Sequence, residues 1–150
     1  MNILFLGDIV GDSGCNSVKK NLPKIIKDKS IDFVVVNGEN AATEGVGITE
    51  NNTNELLNSG VDVITTGNHV WDQKETFDFI SKQNRLLRPL NLLNNSPGKG
   101  FEIYNSKKGF KIGVLNLMGN VFMKKCNDVF IEAKKFLENN KLKNQYDFLI

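Results

Sequence analysis

Three short apolar runs alternate with amphipathic or polar stretches over the first half of the chain. The runs at residues 2–6, 31–36 and 61–66 are rich in apolar and β-branched side chains and predict three buried strands. Between the first two, apolar side chains recur on one face of a helix at about residues 13–29, with Asp12 or Ser13 as its cap. Thr49 is expected to cap a shorter helix that stops at Gly60.

The second half of the chain has a looser pattern and predicts smaller elements. In chain order these are a helix at 72–83 with Phe77 and Ile80 inward, a strand within 86–93 broken by Pro89, a turn at 94–100, a hairpin of strands 101–105 and 110–117, a helix at 128–139 with Phe130, Ala133 and Leu137 aligned, and a strand at 146–150. Strands and helices that alternate in crossover-sized units predict an α/β fold, with a largely parallel sheet and helices on its faces.

Composition limits the classes of function. The 150 residues suit one domain, and the formal charge of +2, from 19 basic and 17 acidic residues, gives no strong nucleic-acid signal. The N-terminus lacks the basic start of a signal peptide, and no run approaches the roughly 20 apolar residues of a membrane span. Cys15 and Cys126 have no metal or redox spacing. A cytoplasmic protein with reduced thiols and no membrane association is expected.

Candidate chemistry lies directly after the three strands of the first half. Because parallel crossovers bring the carboxyl ends of all strands to one edge of the sheet, side chains at those ends should meet there. A glycine precedes each cluster closely and lets the backbone turn and a ligand approach. The residues expected at this edge are Asp8, Glu39, Asn40, Asn68 and His69.

These residue types suit a pair of hard metal ions. Carboxylate and amide oxygens favour Mg, Mn or Fe over metals that prefer thiolates. Glu39 has two oxygens with which to bridge two cations, while Asp8 would hold one cation and the amide oxygen of Asn68 the other. Two adjacent cations clamp a phosphoryl group for in-line attack and lower the pKa of a shared water. His69 would then protonate the departing oxygen as general acid.

Structural explanations exist for each residue taken singly. Asp8 suits a turn or a helix cap, Gly-Glu-Asn suits a turn, and a lone histidine is more often structural than catalytic. The coincidence of ligand-type residues at three equivalent strand ends favours the metal site. Rival motifs do not match, because the glycines after the first strand lack dinucleotide spacing and the sequence has neither a P-loop nor a nucleophile elbow.

The motifs resemble those of the calcineurin-like metallophosphoesterases, and in detail those of the YmdB-like branch. The stretches that carry the resemblance are GDIVG at 7–11, NGENAA at 37–42, GNHVWD at 67–72, RP at 88–89, PGKG at 97–100 and NLMG at 116–119. Two departures from the wider superfamily support the narrower assignment. The histidine of its Asp-x-His motif is absent after Asp8, and Glu39 stands where the superfamily has a bridging aspartate.

The resemblance implies a metallophosphoesterase-like layered fold and a dinuclear site. Its implied metal ligands are Asp8, Glu39 as the bridge, Asn40 and Asn68, and His69 is the implied catalytic acid. The implied cofactors are two divalent or trivalent metal ions, Fe and/or Mn. The implied substrates are small phosphodiesters, including 2′,3′-cyclic nucleotides opened at the 2′ bond, and the implied assembly is a homo-oligomer.

The family completes its metal site with histidines further along the chain, whereas His69 is the one histidine of this sequence. Residues 1–150 are therefore expected to form a single metallophosphoesterase domain that is truncated on its C-terminal side. Two alternatives stay open. The chain could be a non-catalytic nucleotide-binding or regulatory module of the same fold, or another chain could complete its site in an assembly.

Overall fold

Four parallel strands form the main sheet of the computed structural model, which describes residues 1–93, 96–123, 125–140 and 145–150. In spatial as well as chain order they are β1 (Ile3–Leu6), β2 (Phe33–Asn37), β3 (Val63–Thr65) and β4 (Leu86–Leu87). The register places Leu6 beside Val36, and Val36 beside Ile64. The first three strands therefore end level with one another, and the loops that follow them share one edge, as predicted.

Helices cover one face of this sheet. They are α1 (Gly11–Asp28), α2 (Glu50–Asn58) and α3 (Thr76–Phe79), with a 3₁₀ helix over Ile80–Lys82. Alternate residues of β2 point to this side because side chains of a strand alternate between its faces. The buried cluster here joins strand residues to helix residues: Val34, Val36, Ile64, Leu22, Leu56 and Ile80.

A second sheet packs against the opposite face. Its strands are β5 (Phe101–Asn105), β6 (Lys111–Leu115) and β7 (Phe148–Leu149), of which β5 and β6 form the predicted antiparallel hairpin and β7 runs parallel to β6. A second buried cluster fills the space between the sheets and consists of Phe33, Val35, Val63, Leu87, Ile112 and Val114.

A fourth helix, α4 (Val129–Asn139), lies on the outer face of the second sheet. The ring of Phe136 meets the ring of Phe101 edge-on, with centroids 4.6 Å apart. The layers are therefore helix, sheet, sheet and helix, which confirms the expected layered α/β fold with helices on its faces.

The expected helix at 72–83 is wrong in its first turn and in one of its inward residues. Residues 72–75 form a bend followed by a turn, and α3 begins at Thr76. Ile80 is buried as predicted, whereas Phe77 is 57% exposed. The Phe77 ring packs on Trp71, at a centroid distance of 5.5 Å, instead of entering the core.

Two further details of the helices differ from expectation. The side chains of Phe130 and Leu137 are exposed, because the second sheet receives Phe136 of α4 instead. Neither Asp12 nor Ser13 caps α1, since the cap is Val10, whose backbone is extended. The cap of α2 is Thr49, as predicted. Of the expected turn at 94–100, residues 94 and 95 lie outside the described residues.

Candidate functional site

The loops after β1 and β2 are fastened to each other at the carboxyl edge of the main sheet. The amide of Ile9 donates a hydrogen bond to the carbonyl oxygen of Asn37 at 2.9 Å, and the amide of Gly11 donates to that of Asn40 at 2.8 Å. Gly11 has φ +59°, which favours glycine and lets the chain leave this pairing and enter α1 at once. Asp8 is thereby held beside the loop that carries Glu39 and Asn40.

Asn40 and Asp8 are in direct contact. The side-chain nitrogen Nδ2 of Asn40 donates to Oδ1 of Asp8 at 2.8 Å. With its nitrogen engaged in this way, Asn40 keeps its side-chain oxygen Oδ1 buried and without a hydrogen-bond partner. Burying a carbonyl oxygen without a hydrogen-bond partner costs free energy. A cation or a hydrogen-bond donor that binds this oxygen would offset that cost.

Glu39 occupies the centre of the site. Burial raises the pKa of its carboxyl and the neighbouring charge of Asp8 raises it further, while the backbone amides of His69 and Asn68 oppose the shift. Its oxygen Oε2 is buried and has no hydrogen-bond partner. The negative charge of Glu39 is therefore only partly compensated by its surroundings.

Gly67 makes room for the Glu39 carboxylate. A β-carbon built on Gly67 would lie 2.0 Å from Oε2 and 2.8 Å from Cδ of Glu39. Any side chain at this position would fill the space that the carboxylate occupies. The glycine before Asn68 is thus required for the close approach of the loops after β2 and β3.

His69 follows Asn68 in the same turn and pairs with an acidic residue. Its ring nitrogen Nδ1 lies 2.6 Å from Oδ2 of Asp72, and the His69 side chain is 35% exposed. Asn68 is half-buried and adjoins Glu39 through its backbone amide. The fold thus brings Asp8, Glu39, Asn40 and the Asn68–His69 turn to one edge, as the sequence predicts.

The donor set fits a hard cation. Glu39 Oε2 and Asn40 Oδ1 are buried oxygens without partners, and Asp8 adds a second carboxylate nearby. A bound cation would satisfy these oxygens and relieve the repulsion between the two carboxylates. Within the described residues, however, no group of three or more histidine, cysteine, aspartate or glutamate side chains is placed to hold a metal ion. The site as described thus offers a partial ligand set.

Sequence reasoning assigned no role to Asp72. The residue stands three positions after His69 in the GNHVWD stretch, a spacing at which side chains of one turn can meet. That spacing is the signal that points to the pair. The contact itself depends on the turn at 69–72, whereas the sequence predicts a helix that begins at residue 72.

A cleft lies on the β1 side of the site. Its volume is about 360 Å³, and it runs between β1 and α1. Asp8 lines it together with apolar side chains such as Leu6 and Val18, and with the polar Ser17 and Asn21. The cleft includes none of Glu39, Asn68 and His69. It adjoins the candidate metal centre at Asp8 and is otherwise separate from it.

Among the helices of the described residues, none combines the length and the apolar character needed to cross a membrane.

Comparison with known proteins assigns the chain to a family. The family model described as "YmdB-like protein" matches residues 4–150. A Bacillus subtilis (strain 168) protein named 2′,3′-cyclic-nucleotide 2′-phosphodiesterase is 41% identical over 149 residues, which are 99% of this chain and 56% of that protein. The chain spans about half the length of the curated relatives it matches.

Two solved structures share the fold. A hypothetical protein from Thermus thermophilus superposes with a TM-score of 0.87 at 34% identity, over 99% of this chain and 56% of that one. A structure described as a novel phosphatase from Mycoplasma pneumoniae gives a TM-score of 0.85 at 32% identity, over 99% of this chain and 53% of that one. With the family model matching nearly the whole sequence, the chain belongs to the family of YmdB-like proteins.

Proposed function

We propose that the protein is a metal-dependent phosphodiesterase and that this chain supplies Asp8, Glu39, Asn40 and Asn68 to a dinuclear metal site. The observation that carries the proposal is the pair of buried oxygens without hydrogen-bond partners, Glu39 Oε2 and Asn40 Oδ1, beside the Asp8 carboxylate. Support also comes from the name of the 41% identical relative, a 2′,3′-cyclic-nucleotide 2′-phosphodiesterase.

The proposed substrates are small phosphodiesters, of which 2′,3′-cyclic nucleotides are the first to test. Water adds to phosphorus, the bond between phosphorus and the 2′ oxygen breaks, and that oxygen takes up a proton to become a hydroxyl. The product is a nucleoside 3′-phosphate. The bond between phosphorus and the 3′ oxygen stays intact.

Each residue of the site has a role in this reaction. Asp8 and Glu39 would supply negative charge to the metal ions, and Asn40 and Asn68 would contribute neutral amide oxygens. Fe and/or Mn ions, when bound, supply charge stabilisation for the phosphoryl oxygens and a lowered pKa for the attacking water. His69, with a partly exposed ring, donates a proton to the departing 2′ oxygen.

An assay of the purified protein with added Mn²⁺ tests the proposal. Conversion of 2′,3′-cyclic AMP to the 3′-monophosphate is followed by ³¹P NMR, because the cyclic and open phosphates resonate separately. Asp8→Ala is expected to lower kcat/KM at least about 100-fold, since it removes a charged metal ligand. The matched control is Asp28→Ala, because Asp28 is an exposed acidic residue at the far end of α1, and this variant should leave kcat/KM within about twofold.

Three results would overturn the proposal. Hydrolysis that continues in the presence of a metal chelator, or that survives in Asp8→Ala, would mean that the reaction does not use the proposed metal site. Binding of the nucleotide without turnover and without a metal requirement would favour the alternative, a non-catalytic nucleotide-binding or regulatory module. The partial ligand set within the described residues is the observation that favours this alternative.

The expected cytoplasmic location, the homo-oligomeric state and the single truncated domain stay predictions. Size-exclusion chromatography with light scattering measures the oligomeric state directly. A monomer at micromolar concentration would contradict the homo-oligomer.

A further inference from the structure

We infer that Asp72 is a positioning residue that fixes the orientation of the His69 ring, an inference that rests on the proposed function. Oδ2 of Asp72 lies 2.6 Å from Nδ1 of His69, a distance typical of a strong hydrogen bond to a carboxylate. Both side chains are partly shielded from solvent, with 35% of His69 and 28% of Asp72 exposed. The pair is therefore partly accessible to solvent.

The backbone holds the two residues in one rigid turn. The amide of Asp72 donates to the carbonyl oxygen of His69 at 3.0 Å, which closes the turn that the side-chain contact also spans. Between them, Val70 is fully buried in the core on the helix side of the main sheet. A buried residue and a backbone hydrogen bond therefore hold the turn in addition to the side-chain pair.

The residue after Asp72 is anchored on the loop that follows β2. The side-chain nitrogen of Gln73 donates to the carbonyl oxygen of Val46 at 2.9 Å. A β-carbon built on Gly47 would lie 3.0 Å from the Gln73 backbone nitrogen, so the two segments touch closely at this glycine. Residues 69–73 therefore pack between the edge of the main sheet and the loop that follows β2.

The contact determines which ring nitrogen is available. With Nδ1 bonded to Asp72, Nε2 is the nitrogen left to meet a substrate, because an imidazole has only these two. An acidic residue in this position holds the ring against rotation about its bond to Cβ. The nearby Glu75 is engaged elsewhere, since its Oε1 accepts from the Glu50 amide at 2.8 Å. Among the described residues, the acidic side chain in hydrogen-bond contact with this ring is that of Asp72.

The kinetic test compares two substrates with different needs for a proton donor. A 2′,3′-cyclic nucleotide expels an alkoxide that must be protonated, whereas bis(p-nitrophenyl) phosphate expels a stable phenolate. Asp72→Asn in the Mn²⁺-loaded protein is expected to lower kcat on the cyclic nucleotide about 10- to 100-fold, with KM within about twofold. On the p-nitrophenyl ester, kcat should change less than about threefold.

Further variants separate positioning from a merely structural role. In His69→Ala, addition of Asp72→Asn should cause no further loss of kcat, because the two residues act as a unit. Asp78→Asn is the matched control, since Asp78 is an exposed acidic residue of the same segment, and it should behave as the wild type on both substrates. Equal losses on the two substrates in Asp72→Asn would overturn the inference.

A spectroscopic readout makes the test independent of turnover. His69 is the one histidine of the sequence, so its ring nitrogens give unambiguous ¹⁵N signals. Asp72→Asn is expected to shift the Nδ1 signal, whereas Asp78→Asn should leave it in place. An unchanged Nδ1 signal in Asp72→Asn would overturn the inference. Failure of the wild type to hydrolyse either substrate would instead count against the proposed function, with the Nδ1 result still deciding the role of Asp72.

Discussion

Glu39 and Gly67 meet at the carboxyl edge of the main sheet with no space for another atom between them. The register explains the contact, because Val36 pairs with Ile64 and the residues three positions further on are then level. From the sequence, Gly67 is expected to permit a turn of the backbone and the close approach of a ligand. The structure adds the group that approaches it, a buried carboxylate whose pKa is raised by burial and by Asp8.

Gly67→Ala tests this close contact. The new β-carbon would lie 2.0 Å from Glu39 Oε2, so the carboxylate must move out of its position. The affinity for Mn²⁺ is expected to fall at least about tenfold, because ligand geometry decides metal affinity. Isothermal titration calorimetry measures the affinity, and circular dichroism checks that the helices and strands are retained.

Gly119→Ala serves as the control for that change. A β-carbon built on Gly119 meets nothing within 4 Å, and its φ is not in the left-handed region. This variant should bind Mn²⁺ as the wild type does. Wild-type affinity in Gly67→Ala as well would mean that the Glu39 carboxylate does not take part in binding.

Residue types and their spacing were sufficient to predict that Asp8, Glu39 and His69 come together. They follow consecutive parallel strands, and the topology alone brings such positions to one edge. The partner of His69 could not be predicted in the same way. Whether Asp72 reaches His69 depends on the turn at 69–72 and on side-chain rotamers, neither of which leaves a periodic signal.

At the scale of elements, strand positions were easier to predict than helix faces. Continuous β-branched runs mark β2 and β3, because a strand buried on both sides is apolar throughout. For α4 the sequence pattern aligns Phe130, Ala133 and Leu137, whereas the buried residue is Phe136, one position before Leu137. Contact with the Phe101 ring in the second sheet decides in favour of Phe136, and periodicity carries no information about that partner.

The cap of α2 gives a prediction at this scale. Thr49 Oγ1 accepts from the backbone amide of Asn52 at 3.0 Å, and Thr49 and Asn52 form a capping box. Thr49→Ala is expected to lower the free energy of unfolding by about 1 kcal/mol, because the first turn loses the acceptor for its free amide. Urea denaturation followed by circular dichroism measures the change.

Ser13→Ala is the matched control for the cap. Ser13 was expected to cap α1, but its hydroxyl donates weakly to the Val10 carbonyl oxygen at 3.4 Å and accepts no amide of the helix. Its loss should change the free energy of unfolding by less than about 0.5 kcal/mol. Equal effects of the two substitutions would show that the Thr49 cap contributes no more than an exposed serine.

At the scale of the whole molecule, the crossovers predict the parallel main sheet. They do not predict that a second sheet covers the face opposite the helices. The second sheet covers the opposite face through Ile112 and Val114, and the Asn116 side chain joins the two sheets by donating to the carbonyl oxygen of Thr66 at 2.7 Å. A hairpin pattern predicts two paired strands, but not the surface on which they pack. That choice comes from matching apolar faces in three dimensions.

The proposed metal centre likewise belongs to the whole molecule, because its residues come from three separate loops. We propose that Asp8, the Glu39–Asn40 pair and residues 67–69 bind the same pair of metal ions. Mn²⁺ broadens the NMR signals of nearby nuclei, so a titration with less than one equivalent locates the bound ion on the protein. No other measurement tests the location of the site as directly.

In that titration the amide signals of residues 7–9, 38–40 and 67–69 are expected to broaden first. Signals of the hairpin turn at 107–109 should stay sharp, because Lys107 lies by Ile31 at the opposite end of the main sheet. Asp8→Ala should abolish the selective broadening, and Asp28→Ala should preserve it. Uniform broadening, or broadening centred on other acidic residues, would contradict a metal site at this edge of the sheet.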